Sequence, residues 1–250
     1  MDTARLNKRP YDSIRPLSLK PHYLEQADGS VLIEMGKTKI IAAASVDEKV
    51  PPFLKGAGQG WVTAEYAMLP RSTGVRNIRE RVHGRISGRS QEIQRLIGRS
   101  LRTVTDLKIL GERTVIIDCD VFQADGGTRT ASITAGCVAL ALALKKLMDQ
   151  GIIEKMPLKN LVAGISLGIV NGEKLLDLDY KEDCNAELDM NVVETDTGKV
   201  VEIQATAEKN PFTKKDLSGL LTMATKGIKE IIQIQKSILI KESVLFMAYG

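Results

Sequence analysis

Residues 113–149 constrain the fold more than any other stretch. The β-rich run "RTVIIDCDVF" ends in "QADGGTRT", and a helix-like run of small residues follows, over about 130–149, closing at Gly151. The rest of the chain falls into the same β-then-α order. Residues 30–47 read as two strands joined near Gly36-Lys37. "PPFLKGAGQGW" is a loop, and Ile93, Leu96, Ile97, Leu101, Val104 and Leu107 recur at helical spacing over 90–109. "NLVAGISLGIVNGEKLLDLDY" is a hairpin about Asn171-Gly172, and "AELDMNVVETDTGKVVEIQATA" is a second one turning at Asp196-Thr197-Gly198. Thr213, with Asp216 three residues on, opens a helix running to about Ile240. Strands then helices, twice over, describe an α+β chain of two related halves packed as one unit; no low-complexity linker separates a second domain.

Several function classes are disfavoured by composition. Aromatics make up 4% of the chain, which argues against a base-stacking platform. The run Ala131–Leu144 contains Ser, Thr and Gly and stops at Lys145-Lys146, too short and too polar for a membrane span. The opening "MDTARLNKRPYDSIRP" has no apolar core and does not read as a secretory signal. Cys119, Cys137 and Cys184 form no CxxC, which suits a reduced, cytoplasmic protein with core thiols. Two histidines, His22 and His83, leave little for a His-based metal cluster or a Ser-His-Asp triad.

The charge is unevenly placed. Arginines 71, 76, 79, 81, 85, 89, 95, 99 and 102 face only Glu80 and Glu92, a net +7 in a chain of +4, so the remainder sums to −3. Every basic residue there is Arg, the side chain that grips phosphate bidentately, which favours a polyanion partner. Two further constellations carry chemistry. Gly126 and Gly127 let the N–H groups of a helix N-terminus approach an anion, and Arg129 adds charged donors. "DLDYKEDCNAELDM" supplies Asp177, Asp179, Asp183, Glu187 and Asp189: Asp177 and Asp179 on one face of the preceding strand, Asp183 in the connection, Asp189 near the start of the next strand. Carboxylates opposite arginines suit a divalent ion and phosphodiester chemistry.

The blocks "FLKGAGQGWVTAEYAMLPRSTGVRNIRE", "EIQRLIGRSLR", "DCDVFQADGGTRTASITAGCVAL", "DLDYKEDCNAELDMNVV" and "VEIQATAEKNPF" resemble, in order, those of the bacterial RNase PH family. The resemblance runs from about Arg15 to Lys236 and implies a single domain over 1–250, with halves of about 15–150 and 151–250 and a ribosomal protein S5 domain 2-like fold. It implies a phosphate-dependent 3′→5′ exoribonuclease and tRNA nucleotidyltransferase that trims tRNA precursors and other RNA 3′ ends. Such an enzyme releases nucleoside 5′-diphosphates and also runs in reverse. Residue by residue, it implies that Arg89, Gly127, Thr128 and Arg129 hold inorganic phosphate. Asp183 and Asp189 would be catalytic carboxylates and ligands of Mg²⁺ or another divalent ion, and Arg71, Arg76 and Arg79 would contact the tRNA acceptor end. It further implies a hexameric ring, a trimer of dimers, in the cytoplasm. The chain departs from the family pattern in "RVHGRISGRSQEIQR", at Ala205 and at Lys209-Asn210. Arg81, Arg85, Arg95, Arg99 and Arg102 are assigned structural or interface roles. The rival readings are a non-catalytic RNA-binding ring subunit, a small-molecule kinase and a hydrolytic nuclease; the last is distinguished by monophosphate products.

Overall fold

The structure is a computed structural model that describes Arg5 and residues 8–244, apart from the side chains of Arg81 and His83. The reading of the opening segment as no signal therefore falls partly outside the described residues, as does any role for the Arg81 side chain. In the first half, β1 (Leu17–Pro21), β2 (Gly29–Met35), β3 (Thr38–Asp47), β4 (Trp61–Met68) and β5 (Thr114–Gln123) form a five-stranded sheet ordered β1-β2-β3-β5-β4. All neighbours are antiparallel except β4, which runs parallel to β5. The β2–β3 turn falls at Gly36, whose φ of +57° suits the residue without a Cβ.

The helical pattern over 90–109 divides in two. Helix α1 (Gly88–Thr103) starts at Ser87, whose hydroxyl accepts from Ser90 N, and a short helix α2 (Leu107–Leu110) follows it. The break has a local cause: Asp106 Oδ1 accepts from the N–H groups of Lys108 and Ile109, at 3.0 and 3.2 Å, and so opens a new helix. Of the arginines on α1, Arg95 and Arg99 are exposed, while Arg102 lies 4.1 Å from the Trp61 ring centroid and donates to Val62 O at 2.6 Å.

Helix α3 (Thr128–Asp149) is longer than the apolar run within it. By length and composition it would suit a membrane, yet 83% of its most apolar stretch is buried inside the protein. Small residues make that burial possible. A Cβ on Gly29 of β2 would stand 2.2 Å from Ala139 O, so strand and helix backbones are nearly in contact.

The second half contains β6 (Val162–Val170), β7 (Glu173–Leu176), α4 (Tyr180–Asn185), β8 (Leu188–Thr195), β9 (Val200–Ala207) and α5 (Lys214–Lys241). Its four-stranded sheet is ordered β7-β6-β8-β9 and is antiparallel throughout. The two expected hairpins form, and Thr213 and Asp216 make the reciprocal cap at the start of α5. Helix α3 packs on the near face of this sheet, where Gly164 of β6 abuts Thr130, while α5 covers the other face, where Gly227 abuts Ile165. One core cluster joins Ile33 and Ile117 of the first sheet, Leu140 of α3, Ile165 and Val192 of the second sheet, and Ile231 of α5.

One expectation is corrected. Asp177 and Asp179 do not share a strand face, because β7 ends at Leu176. Asp177 adopts φ +55° and is 1% exposed, bound by Arg15 Nη2 at 2.7 Å and by the Arg15 backbone N–H at 2.7 Å. Asp179 caps α4, accepting from Glu182 N at 3.0 Å. The carboxylate hydrogen bonds of the two residues outweigh the alternation that a continued strand would have imposed.

Candidate active site

The "ADGGTRT" turn stands where the two halves meet. Both Gly126 and Gly127 have left-handed backbones, at φ +78° and +66°, and the second of them is the N-cap of α3. Glycine offers no side-chain oxygen there, so no side chain caps the first N–H groups of the helix, which remain directed outward with the positive end of its dipole. The turn is fixed from behind. Thr38 Oγ1 donates to Gly126 O at 2.8 Å and accepts from Asp125 N at 3.0 Å, and Arg15 donates to the carbonyls of Asp125 and Gly126. Burial lowers the pKa of the Arg15 guanidinium, and Asp177, aided by Asp125 and Asp179, more than reverses the effect, so it stays charged.

A cavity of about 180 Å³ opens in front of the turn, lined by Arg89, Gly126, Gly127, Thr128, Arg129, Ser166, Asp183, Asp189 and Asn191, among others. At about 30 Å³ per water, it has room for an anion and several waters. The sequence-derived residues Arg89, Gly127, Thr128, Arg129, Asp183 and Asp189 are thus brought together from α1, α3, α4 and β8. Thr128 is oriented by Tyr66, which donates to its Oγ1 at 2.9 Å. Arg129 donates to Gln204 Oε1 at 3.0 Å, and Gln204 in turn donates to Glu92 and Glu202, each at 3.1 Å. Tyr66 and Gln204 were missed in the sequence because each lies on a strand far along the chain from the residue it orients.

The carboxylates define the opposite wall. The pKa of Asp183 is raised mainly by loss of water, against the pull of Arg129 and Arg89. That of Asp189 is raised by burial and then by Asp183 itself. Two oxygen-donor groups that repel each other across a polar cavity fit a hard cation, which would relieve that repulsion. No group of three or more His, Cys, Asp or Glu side chains suited to a metal occurs among the described residues, so the remaining ligands would be water or substrate oxygens.

The arginines expected to bind RNA separate. Arg76 and Arg79 line a larger cleft of about 1030 Å³ that shares Met68 and Arg89 with the smaller cavity. Arg71 lies outside that lining, exposed, and donates to Gly74 O at 3.2 Å. On the cleft wall, burial raises the pKa of Asp118 and Asp120. Cys119 and Cys137 are buried thiols pushed up to about 12 by burial, and Cys184 is exposed.

Two family models match: the 3′ exoribonuclease family (RNase PH), domain 1, over residues 13–146, and domain 2 over residues 160–227. The chain belongs to the RNase PH family of 3′ exoribonucleases. The Ribonuclease PH of Moorella thermoacetica is 55% identical over 235 residues, 94% of each chain. That of Neisseria meningitidis serogroup B is 56% identical over 231 residues, 92% of this chain and 96% of the relative. The chain is accordingly a phosphorolytic 3′→5′ exoribonuclease with phosphate as co-substrate. Among solved structures, the Archaeoglobus fulgidus exosome with RNA bound to the active site superposes with TM-score 0.79 at 19% identity, over 93% of this chain and 92% of that one. Rice Rrp46 superposes with TM-score 0.77 at 19% identity, over 94% of this chain and 99% of that one. Both share the two-half α+β fold.

Proposed function

We propose that the cavity is the phosphorolytic centre, that Arg89, Arg129, Thr128 and the N–H groups after Gly127 hold inorganic phosphate, and that tRNA precursors are trimmed there. The observation that carries the reading is the meeting of these residues with Asp183 and Asp189 around one cavity of about 180 Å³. An oxygen of HPO₄²⁻ attacks the last phosphodiester in line, the bond from that phosphorus to the 3′ oxygen breaks, and the 3′ oxygen leaves as a hydroxyl carrying the proton that the hydrogen phosphate gives up. The products are a nucleoside 5′-diphosphate and RNA one nucleotide shorter, and the same site adds nucleotides from diphosphates in reverse. Phosphate arrives already ionised, so no histidine base is required.

The chain acts by positioning and by charge. Tyr66 fixes the Thr128 hydroxyl and Gln204 fixes the Arg129 guanidinium, so the donors stand ready before the anion arrives. Asp183 and Asp189 would hold Mg²⁺, which supplies charge stabilisation at the transferred phosphoryl group and the leaving oxygen. Arg76 and Arg79 would lead the RNA 3′ end through the larger cleft, with Arg71 further out on the same basic segment. Action in the cytoplasm, as a hexameric ring formed as a trimer of dimers, completes the proposal.

The test supplies a tRNA bearing extra 3′ nucleotides, with Mg²⁺, with and without phosphate. Diphosphates released only with phosphate are expected, and Arg129→Ala should raise the phosphate KM at least about tenfold, since a hydrogen bond to a charged group is worth about 1.5–3 kcal/mol. Monophosphates released without phosphate, or an unchanged phosphate KM in the variant, would reject the assignment.

A further inference from the structure

Below the glycine turn, the second sheet presents a polar row. Ser166 of β6 stands directly opposite Asn191 of β8, and Asn191 opposite Gln204 of β9, so the three side chains share one face. Gly164, two residues before Ser166 on β6, abuts Thr130, so that face is the one turned to the start of α3. The outer member of the row, Gln204, is occupied by Arg129, Glu92 and Glu202. The inner member is not: Ser166 is 5% exposed, and its Oγ has no hydrogen-bond partner among the described residues.

The position of that hydroxyl is informative. It lines the cavity that the turn faces, and a Cβ built on Gly127 would stand 3.4 Å from it. Leu167 and Ile165 on either side are fully buried, so a serine here meets no packing need that alanine would not serve. A buried hydroxyl without a partner costs stability, and the cost persists unless something outside the chain pairs with it.

We infer that Ser166 is a phosphate-contacting residue: its Oγ closes the cavity from the sheet side, beneath Gly127, and pairs with an oxygen of the phosphate held by the turn. The inference rests on the reading of this cavity as the phosphate site. Arg89, Arg129 and the backbone N–H groups can only donate, and the Thr128 hydroxyl already accepts from Tyr66, whereas the unpaired Ser166 hydroxyl is free to accept and so meets the proton that HPO₄²⁻ and H₂PO₄⁻ carry. Asn191, 6% exposed and lining the same cavity, continues this neutral wall toward Asp189.

The experiment compares wild type, Ser166→Ala and Arg129→Ala in two readouts. One is the rise in melting temperature with added inorganic phosphate, in chelator and without RNA; the other is the phosphate KM in RNA trimming. Ser166→Ala is expected to melt at or above the wild-type temperature without phosphate, because an orphan hydroxyl is gone. It should gain less from phosphate, and its phosphate KM should rise roughly 3- to 10-fold with kcat little changed, the loss of one neutral hydrogen bond. Phosphate dependence equal to wild type in both readouts, or a lowered melting temperature without phosphate, would overturn the inference and make the hydroxyl structural. Arg129→Ala separates the two levels. If it weakens phosphate and Ser166→Ala does not, the serine inference alone fails; if neither does, the phosphate reading fails with it.

Discussion

Asp183 and Asp189 bind their protons more tightly in the folded chain than in the unfolded one, because burial raises both pKa values. Such carboxylates cost stability at any pH above their folded values, and the cost vanishes as pH falls below the ordinary carboxylate range. Asp189→Asn should therefore melt higher than wild type at neutral pH in chelator, with the difference closing near pH 4, about the ordinary aspartate value. The same variant should lose about 100-fold or more in turnover, the lower end for a lost acid–base or charge-stabilising group. A variant that melted lower than wild type at neutral pH would show that Asp189 holds the fold together. Individual residues were legible unevenly. Arg129, Asp183 and Asp189 could be named because they lie in compact motifs, and Arg89 only through the family resemblance, as the arginine just before the EIQRLIGR block. The proposed role of Ser166 could not be read there, since it rests on a register shared by β6, β8 and β9.

At the scale of elements, turn chemistry was the most readable signal. Gly36, Asn171-Gly172 and Gly198 take the positive φ values that their hairpins require, and the elements they join follow. What local pattern could not supply was capping that competes with periodicity, as at Asp106 and Asp179, and pairing at long range, as between Arg15 and Asp177. Gly126 tests whether the junction of the halves is as close as it stands here. A Cβ there would lie 2.5 Å from Leu178 O and 2.8 Å from Asp179 C, whereas one on Gly58, also at positive φ, would meet nothing within 4 Å. Gly58→Ala should cost about 1–2 kcal/mol, the penalty of left-handed backbone alone. Gly126→Ala should cost clearly more in denaturant unfolding; equal losses would mean that the close approach is dispensable.

Across the whole molecule, the net +7 between Arg71 and Arg102 sits on a chain of only +4, and Arg76, Arg79 and Arg89 line the larger cleft. Binding of single-stranded RNA should weaken steeply with salt, and Arg76→Ala/Arg79→Ala should reduce the slope of log K against log[salt] by roughly 1.4, about 0.7 per lost phosphate contact. A slope unchanged in the double variant would move the RNA path off this cleft.

The residues of the proposed centre are divided between the two halves of the chain in a fixed order. Arg89 and the Gly127–Arg129 turn are translated first; Ser166, Asp183, Asp189 and the Gln204 that steadies Arg129 come later. Gly126, too, is seated against the backbone of Leu178 and Asp179, which arrive some fifty residues after it. A nascent chain, surrounded by RNA, would therefore expose the first half of the proposed centre before the second exists. On the proposed assignment, this order would withhold phosphorolysis from a nascent RNA-degrading enzyme until β8 and β9 have docked.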